Sequence, residues 1–104
     1  MIQFKKSKHF QEWLDSLRSK PARARVLARL DNAQWGNFGD CEALGNGVFE
    51  MRIHYGPGYR VYFMRIGEVV YLLLIGGDKS TQQRDIQRAK QIADEFRKKG
   101  VVHD

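Results

Sequence analysis

The stretch Tyr55-Gly56-Pro57-Gly58-Tyr59-Arg60-Val61-Tyr62-Phe63, together with Leu72-Leu73-Leu74-Ile75-Gly76-Gly77-Asp78-Lys79-Ser80, decides how this chain folds. Gly56-Pro57-Gly58 reverses the backbone, because glycine accepts positive φ and proline pre-sets its own. Before the turn, Val48 to Tyr55 alternates: Phe49, Met51, Ile53 and Tyr55 point one way, Glu50, Arg52 and His54 the other. After it, Tyr59 to Ile66 sets Tyr59, Val61 and Phe63 against Arg60, Tyr62 and Met64. Gly67-Glu68 turns the chain again. Val69 to Ile75 carries no polar group except the Tyr71 hydroxyl, so it reads as a strand buried on both faces. The centre of the fold is thus expected to be a three-strand meander with cations on one face. Such cations beside a helix start suit phosphate, which points to RNA or DNA as the partner.

Working outward, Ile2-Gln3-Phe4 alternates as a short first strand. Phe10, Trp13, Leu14 and Leu17 follow at helical spacing behind Ser7, an N-cap residue. Ser19-Lys20-Pro21 breaks the pattern, and proline fits a first helical turn. A second helix then turns Ala22, Val26, Leu27, Leu30 and Ala33 inward, leaving Arg23, Arg25 and Arg29 outward. The two form a helical hairpin. Trp35 to Asp40 reads as a loop. Ser80-Thr81-Gln82-Gln83 fits a capping box for a final helix to about Lys99, with Ile86, Ala89, Ala93 and Phe96 inside. The expectation is α+β: a single domain over 1–104, with an N-terminal strand and helical hairpin on a mainly antiparallel sheet and a C-terminal helix.

At 104 residues the chain suits one modest core. Its net charge of +6 and pI near 9.7 favour an anionic partner, nucleic acid or acidic protein. Cys41 is the only cysteine, which fits a reducing cytosol, and a cytoplasmic location is expected. The segment Met1 to Lys6 has no apolar stretch behind its charges and does not read as a signal peptide. The longest apolar run is too short to span a bilayer. His9, His54 and His103 are scattered, without metal-ligand spacing, so neither metal nor cofactor is expected.

The chain resembles the RelE/ParE toxin superfamily of bacterial type II toxin–antitoxin systems. More narrowly, it resembles the addiction module killer proteins, close to the HigB-type toxins. The resemblance rests on Ala22-Arg23-Ala24-Arg25, Gly36-Asn37-Phe38-Gly39-Asp40, Glu50-Met51-Arg52-Ile53, Gly56 to Tyr62, Gly76 to Gln82, and Asp85-Ile86. It covers nearly the whole chain. It implies a small basic toxin held inactive by a cognate, DNA-binding antitoxin in a hetero-oligomeric complex. It also implies either of two targets: messenger RNA, cut in the ribosome without a metal, or DNA gyrase. A third reading keeps the fold as a non-toxic binding module.

Cleavage of RNA by its own 2′-hydroxyl needs a base, cations on the phosphate and an acid for the 5′ oxygen. The resemblance implies Arg60 for the scissile phosphate, since RNA-cutting members place an arginine there, and basic roles for Arg52 and Lys79. Alternatives remain open at each position. Arg60 either grips phosphate or pairs with a carboxylate such as Glu50. His54 either exchanges protons near neutrality or fills space. Lys79 lies either at the site or in a helix cap formed by Asp78 and Ser80. Gly76-Gly77 either admits a ligand or ends a strand. Tyr62 and Tyr55 offer base stacking or a core or rim position. Arg23 and Arg25, with Arg18 and Arg29, make either an RNA-binding surface or a solvated helix face. Glu50 departs from the family, where some members have lysine, and no counterpart of a C-terminal catalytic tyrosine is evident.

Overall fold

A computed structural model describes residues 1–99; His103 lies outside them. The elements run β1 (Gln3–Lys6), α1 (Lys8–Ser16), α2 (Lys20–Gln34), β2 (Cys41–Gly45), β3 (Val48–Ile53), β4 (Tyr59–Arg65), β5 (Val70–Asp78), a 3-10 turn (Lys79–Thr81) and α3 (Gln82–Lys99). The five strands lie in the order β1-β5-β4-β3-β2, parallel between β1 and β5 and antiparallel elsewhere. This is the α+β arrangement the sequence implies, with one more strand in the meander. The added strand, β2, turns into β3 through Gly45, Asn46 and Gly47, all at positive φ. Its residues are mostly exposed, so it has no core-facing alternation for a sequence reading to detect.

Both sheet faces are covered. On one, Phe10 and Leu14 of α1 and Val26 and Leu30 of α2 pack on Met51, Ile53, Val61, Phe63 and Leu73. On the other, Ala89, Ile92 and Ala93 of α3 pack on Val48, Tyr62, Met64, Leu72 and Leu74. This explains why Val69 to Ile75 reads as a continuous apolar run. Each fully buried large side chain contributes about 1.5–3 kcal/mol. Leu27, expected inside, is exposed instead, because α2 lies at the edge of its core and turns only a narrow stripe inward.

A bulge opposite Tyr62 and Phe63 shifts the phase of β5: Tyr62 faces Ile75 while Phe63 faces Leu73. The shift brings Gly77 opposite Arg60 and Gly76 opposite Val61. Both glycines lie inside β5, so they do not end the strand. A Cβ on Gly76 would overlap the Trp13 ring, and one on Gly77 would overlap the Asp85 carboxylate. The two glycines therefore seat α1 and α3 on opposite faces.

Ser7 caps α1 as expected, accepting from the Phe10 amide at 3.0 Å and donating to the Leu74 carbonyl at 2.7 Å. At the far end the cap is Asp78 rather than Ser80. Asp78 Oδ1 accepts from the Ser80 amide at 2.8 Å, and the Asp78 amide donates to Thr81 Oγ1 at 3.4 Å. The short 3-10 turn moves the capped position two residues upstream of the sequence-based expectation.

Candidate functional site

The α3-covered face becomes polar toward the β3–β4 turn. Glu42 lies opposite Glu50, Glu50 opposite Tyr62, and Arg52 opposite Arg60. Two facing carboxylates repel unless a cation joins them. Arg52 is that cation: its Nε donates to Glu50 Oε1 at 3.1 Å, its Nη2 to Glu42, and its Nη1 lies 3.6 Å from Asp40. Arg52 is thus enclosed by three carboxylates.

Glu50 is fully buried. Its second oxygen accepts from the Tyr62 hydroxyl and from Gln82 Nε2, each at 3.0 Å. Arg60 Nε stands 3.6 Å from that oxygen, within ion-pair range but beyond a hydrogen bond. The carboxylate-paired reading of Arg60 is therefore realised, though incompletely. Its side chain is 12% exposed, and Nη1 donates to the Gly58 carbonyl at 2.6 Å. Arg60 Nε is buried without a hydrogen-bond partner among the described residues.

Lys79 is exposed beside Arg60. A Cβ on Gly58, at φ +80°, would lie 3.2 Å from Arg60 Nη1 and 3.6 Å from Lys79 Cβ. The glycine allows the turn and keeps the space next to both cations open. On the other side of Arg52, exposed His54 places Nε2 2.7 Å from Asp40 Oδ2. That hydrogen bond is the main reason the Asp40 carboxyl titrates below its ordinary value, with Arg52 assisting. A neutral His54 that donates through Nε2 keeps its lone pair on Nδ1.

Tyr62 is fully buried under α3, so base stacking on it is excluded while α3 is in place. Burial, followed by its hydrogen bond to Glu50, pushes the phenol well above its usual titration range. Of the helical arginines, Arg25 lies over the Tyr55 ring at 4.7 Å and Arg23 donates to the Asp15 carbonyl at 3.3 Å. Both sit apart from the Glu50 cluster. Arg29, read as outward, instead turns down and donates to the carbonyls of Arg52 and Phe38. It tethers the 38–40 segment to the end of β3.

The structure also adds groups that sequence reasoning missed. Gln82, read as part of a cap, reaches Glu50, and Asp40 and Glu42 hold Arg52. Asp85 is buried on α3 and accepts from Thr81 Oγ1. Asp85 had a legible signal: it shares the helical stripe with Ala89 and Ile92, where a carboxylate requires a partner. Among the described residues, no group of three His, Cys, Asp or Glu side chains is placed to hold a metal ion. No described helix is long and apolar enough to cross a membrane.

The family of phage-derived proteins described as Gp49-like matches residues 12–98 of this chain. An uncharacterised protein of Haemophilus influenzae is 47% identical over 95 residues, covering 91% of this chain and 96% of that protein.

Proposed function

Because this chain belongs to the Gp49-like family of phage-derived proteins, we propose that it is the toxin of a type II toxin–antitoxin pair, of the HigB-like kind, and acts as a messenger RNA endonuclease on the ribosome. The observation that carries this reading is Arg60. Its guanidinium is held over a buried carboxylate, lacks a full set of partners, and stands beside Lys79 at an open glycine turn. A phosphate arriving there completes the hydrogen bonding of Arg60 and meets a second cation.

In the proposed reaction, the 2′-oxygen attacks the adjacent phosphorus as its proton passes to His54 Nδ1. The bond to the 5′-oxygen breaks, and that oxygen takes a proton from solvent or from the protonated imidazole. Arg60 and Lys79 stabilise charge on the phosphoryl oxygens. Asp40 orients the His54 ring through its hydrogen bond to Nε2. Arg52, surrounded by carboxylates, positions Glu50 and the β2 edge and contributes little free positive charge. Arg23 and Arg25 lie on a separate surface suited to ribosomal RNA. The cognate antitoxin is expected to be acidic, since a +6 domain gains association rate from opposite charge.

The test is induction of the chain alone in bacteria, with parallel measurement of methionine incorporation, messenger RNA ends and plasmid supercoiling. Translation should stop first, with new messenger ends. Arg60→Ala and His54→Ala should each abolish this while melting cooperatively as folded proteins. Loss of supercoiling ahead of translation would replace this reading with gyrase inhibition.

A further inference from the structure

At the sheet edge opposite the β2 edge, β1 pairs only with β5. The Gln3 amide donates to the Val69 carbonyl at 2.8 Å and the Ser7 amide to the Leu73 carbonyl at 3.0 Å. Parallel pairing alternates, so the backbone groups of Phe4 and Lys6 face away from β5. At the start of the strand, the Ile2 amide is already taken by the Gln34 carbonyl at the end of α2.

Two hollows follow this edge. The first, of about 300 Å³, is lined by Met1, Ile2, Trp35 and Val69 among others. Met1 is 72% exposed, Trp35 75% and Val69 45%, and only Leu27 joins them as an exposed large hydrophobic among the described residues. Their clustering at one place is unusual for a solvent-facing surface. The second hollow, of about 370 Å³, is lined by Phe4, Lys5, Lys6 and Gln11. Lys5 and Lys6 are exposed, and neither has an ion-pair partner among the described residues.

We propose that the β1 edge docks an extended segment of a partner protein, with an apolar residue against Trp35 and acidic residues against Lys5 and Lys6. Such a segment adds a strand and takes up the outward N–H and C=O groups of Phe4 and Lys6. Few backbone bonds are available on so short an edge, so the side-chain hollows carry the selectivity. Trp35 is the kind of rigid anchor that dominates binding surfaces. The two lysines also weigh against a second copy. Antiparallel pairing of β1 with itself centred on Lys5 or on Lys6 would set that lysine against its own copy, in a chain of charge +6. An acidic strand is admitted where an identical one is repelled. The edge lies across the sheet from Arg52 and His54, so it does not rest on the proposed nuclease reading.

The test is selection of random ten-residue peptides, displayed on phage, against the intact protein. Selected sequences are then synthesised and titrated calorimetrically. The expected peptides carry an apolar residue followed by acidic ones, and they slow hydrogen exchange at the Phe4 and Lys6 amides. Their binding should weaken at least tenfold on Trp35→Ser and, separately, on the Lys5→Glu/Lys6→Glu double variant, both melting like the parent. The proposal fails if no peptide is enriched, or if enriched peptides bind both variants undiminished. It also fails if the unliganded protein sediments as a dimer with those amides already protected, which would make the edge a self-interface.

Discussion

Glu50→Gln is the most informative single change in this molecule. It preserves side-chain volume and removes one buried negative charge. In the parent, that charge faces Arg52 at 3.1 Å and Arg60 at 3.6 Å, and accepts from Tyr62 and Gln82 at 3.0 Å. Removing one partner from a buried ion pair costs about 3–5 kcal/mol. The lower end applies here, because Arg52 keeps Asp40 and Glu42 and is 29% exposed. Arg60 has no such substitute. The new amide also presents a donor where the parent only accepts, so Gln82 loses its partner or Arg52 does. A cost of about 3 kcal/mol is large against a total domain stability of about 5–15 kcal/mol. With a urea dependence of about 2 kcal/mol per molar, the unfolding midpoint should fall by about 1.5 M at unchanged slope. Tyr62→Phe, which removes only a hydrogen bond to the same carboxylate, should cost about 1.5 kcal/mol. The two changes together should cost less than their sum, since they share one partner. A Glu50→Gln midpoint within about 0.3 M of the parent would refute the assignment of Glu50 as the hub of this network.

Gly76→Ala should destabilise by about 3 kcal/mol through overlap with the Trp13 ring, seen as a fall in melting temperature of about 10 °C or more. The folded-state pKa of Asp40 lies below its ordinary value of 3.8, mainly through the hydrogen bond from His54. Its stabilising contribution is therefore present above the unfolded value and disappears as pH falls through the folded one; carboxyl NMR should show an upward-shifted midpoint in His54→Ala, and an unchanged midpoint would count against the pair. Tyr62 should stay protonated in alkali until the fold opens, so absorbance at 295 nm should show a tyrosine step that coincides with loss of circular dichroism.

The strands and helices that were legible in sequence are those whose burial imposes a period. Val48 to Ile53 and Tyr59 to Met64 alternate because their polar side chains, Glu50, Arg52 and Arg60, all lie on the α3-covered face. β2 was not legible, because its exposed residues need only backbone pairing with β3. Asp78 and Ser80 are both good capping residues, and the choice between them depends on a 3-10 turn that no periodicity announces. The candidate site was legible as a set of residue types, but its charge balance was not. The pairing of Arg60 with Glu50 was visible as an alternative from their shared strand face, whereas the enclosure of Arg52 depends on β2. Arg29 was misplaced for another reason: a long side chain on an outward helical position can fold back to a distant carbonyl.

The first strand of this sheet lies beside the last. The Ser7 hydroxyl holds the Leu74 carbonyl across 67 positions of chain. A chain emerging from the ribosome has β1 to β4 available but nowhere to place its beginning until Val70 and the residues after it appear. β5 then supplies the neighbour of β1, the middle of both cores, and the glycine seats for Trp13 and Asp85. Closure over such distances is slow and comes late, since the loop entropy is lost before the contacts form. Order of synthesis thus works as a delay. In a protein proposed to cut messenger RNA on ribosomes, Arg60 and Lys79 come together only after β5 and the turn behind it have emerged.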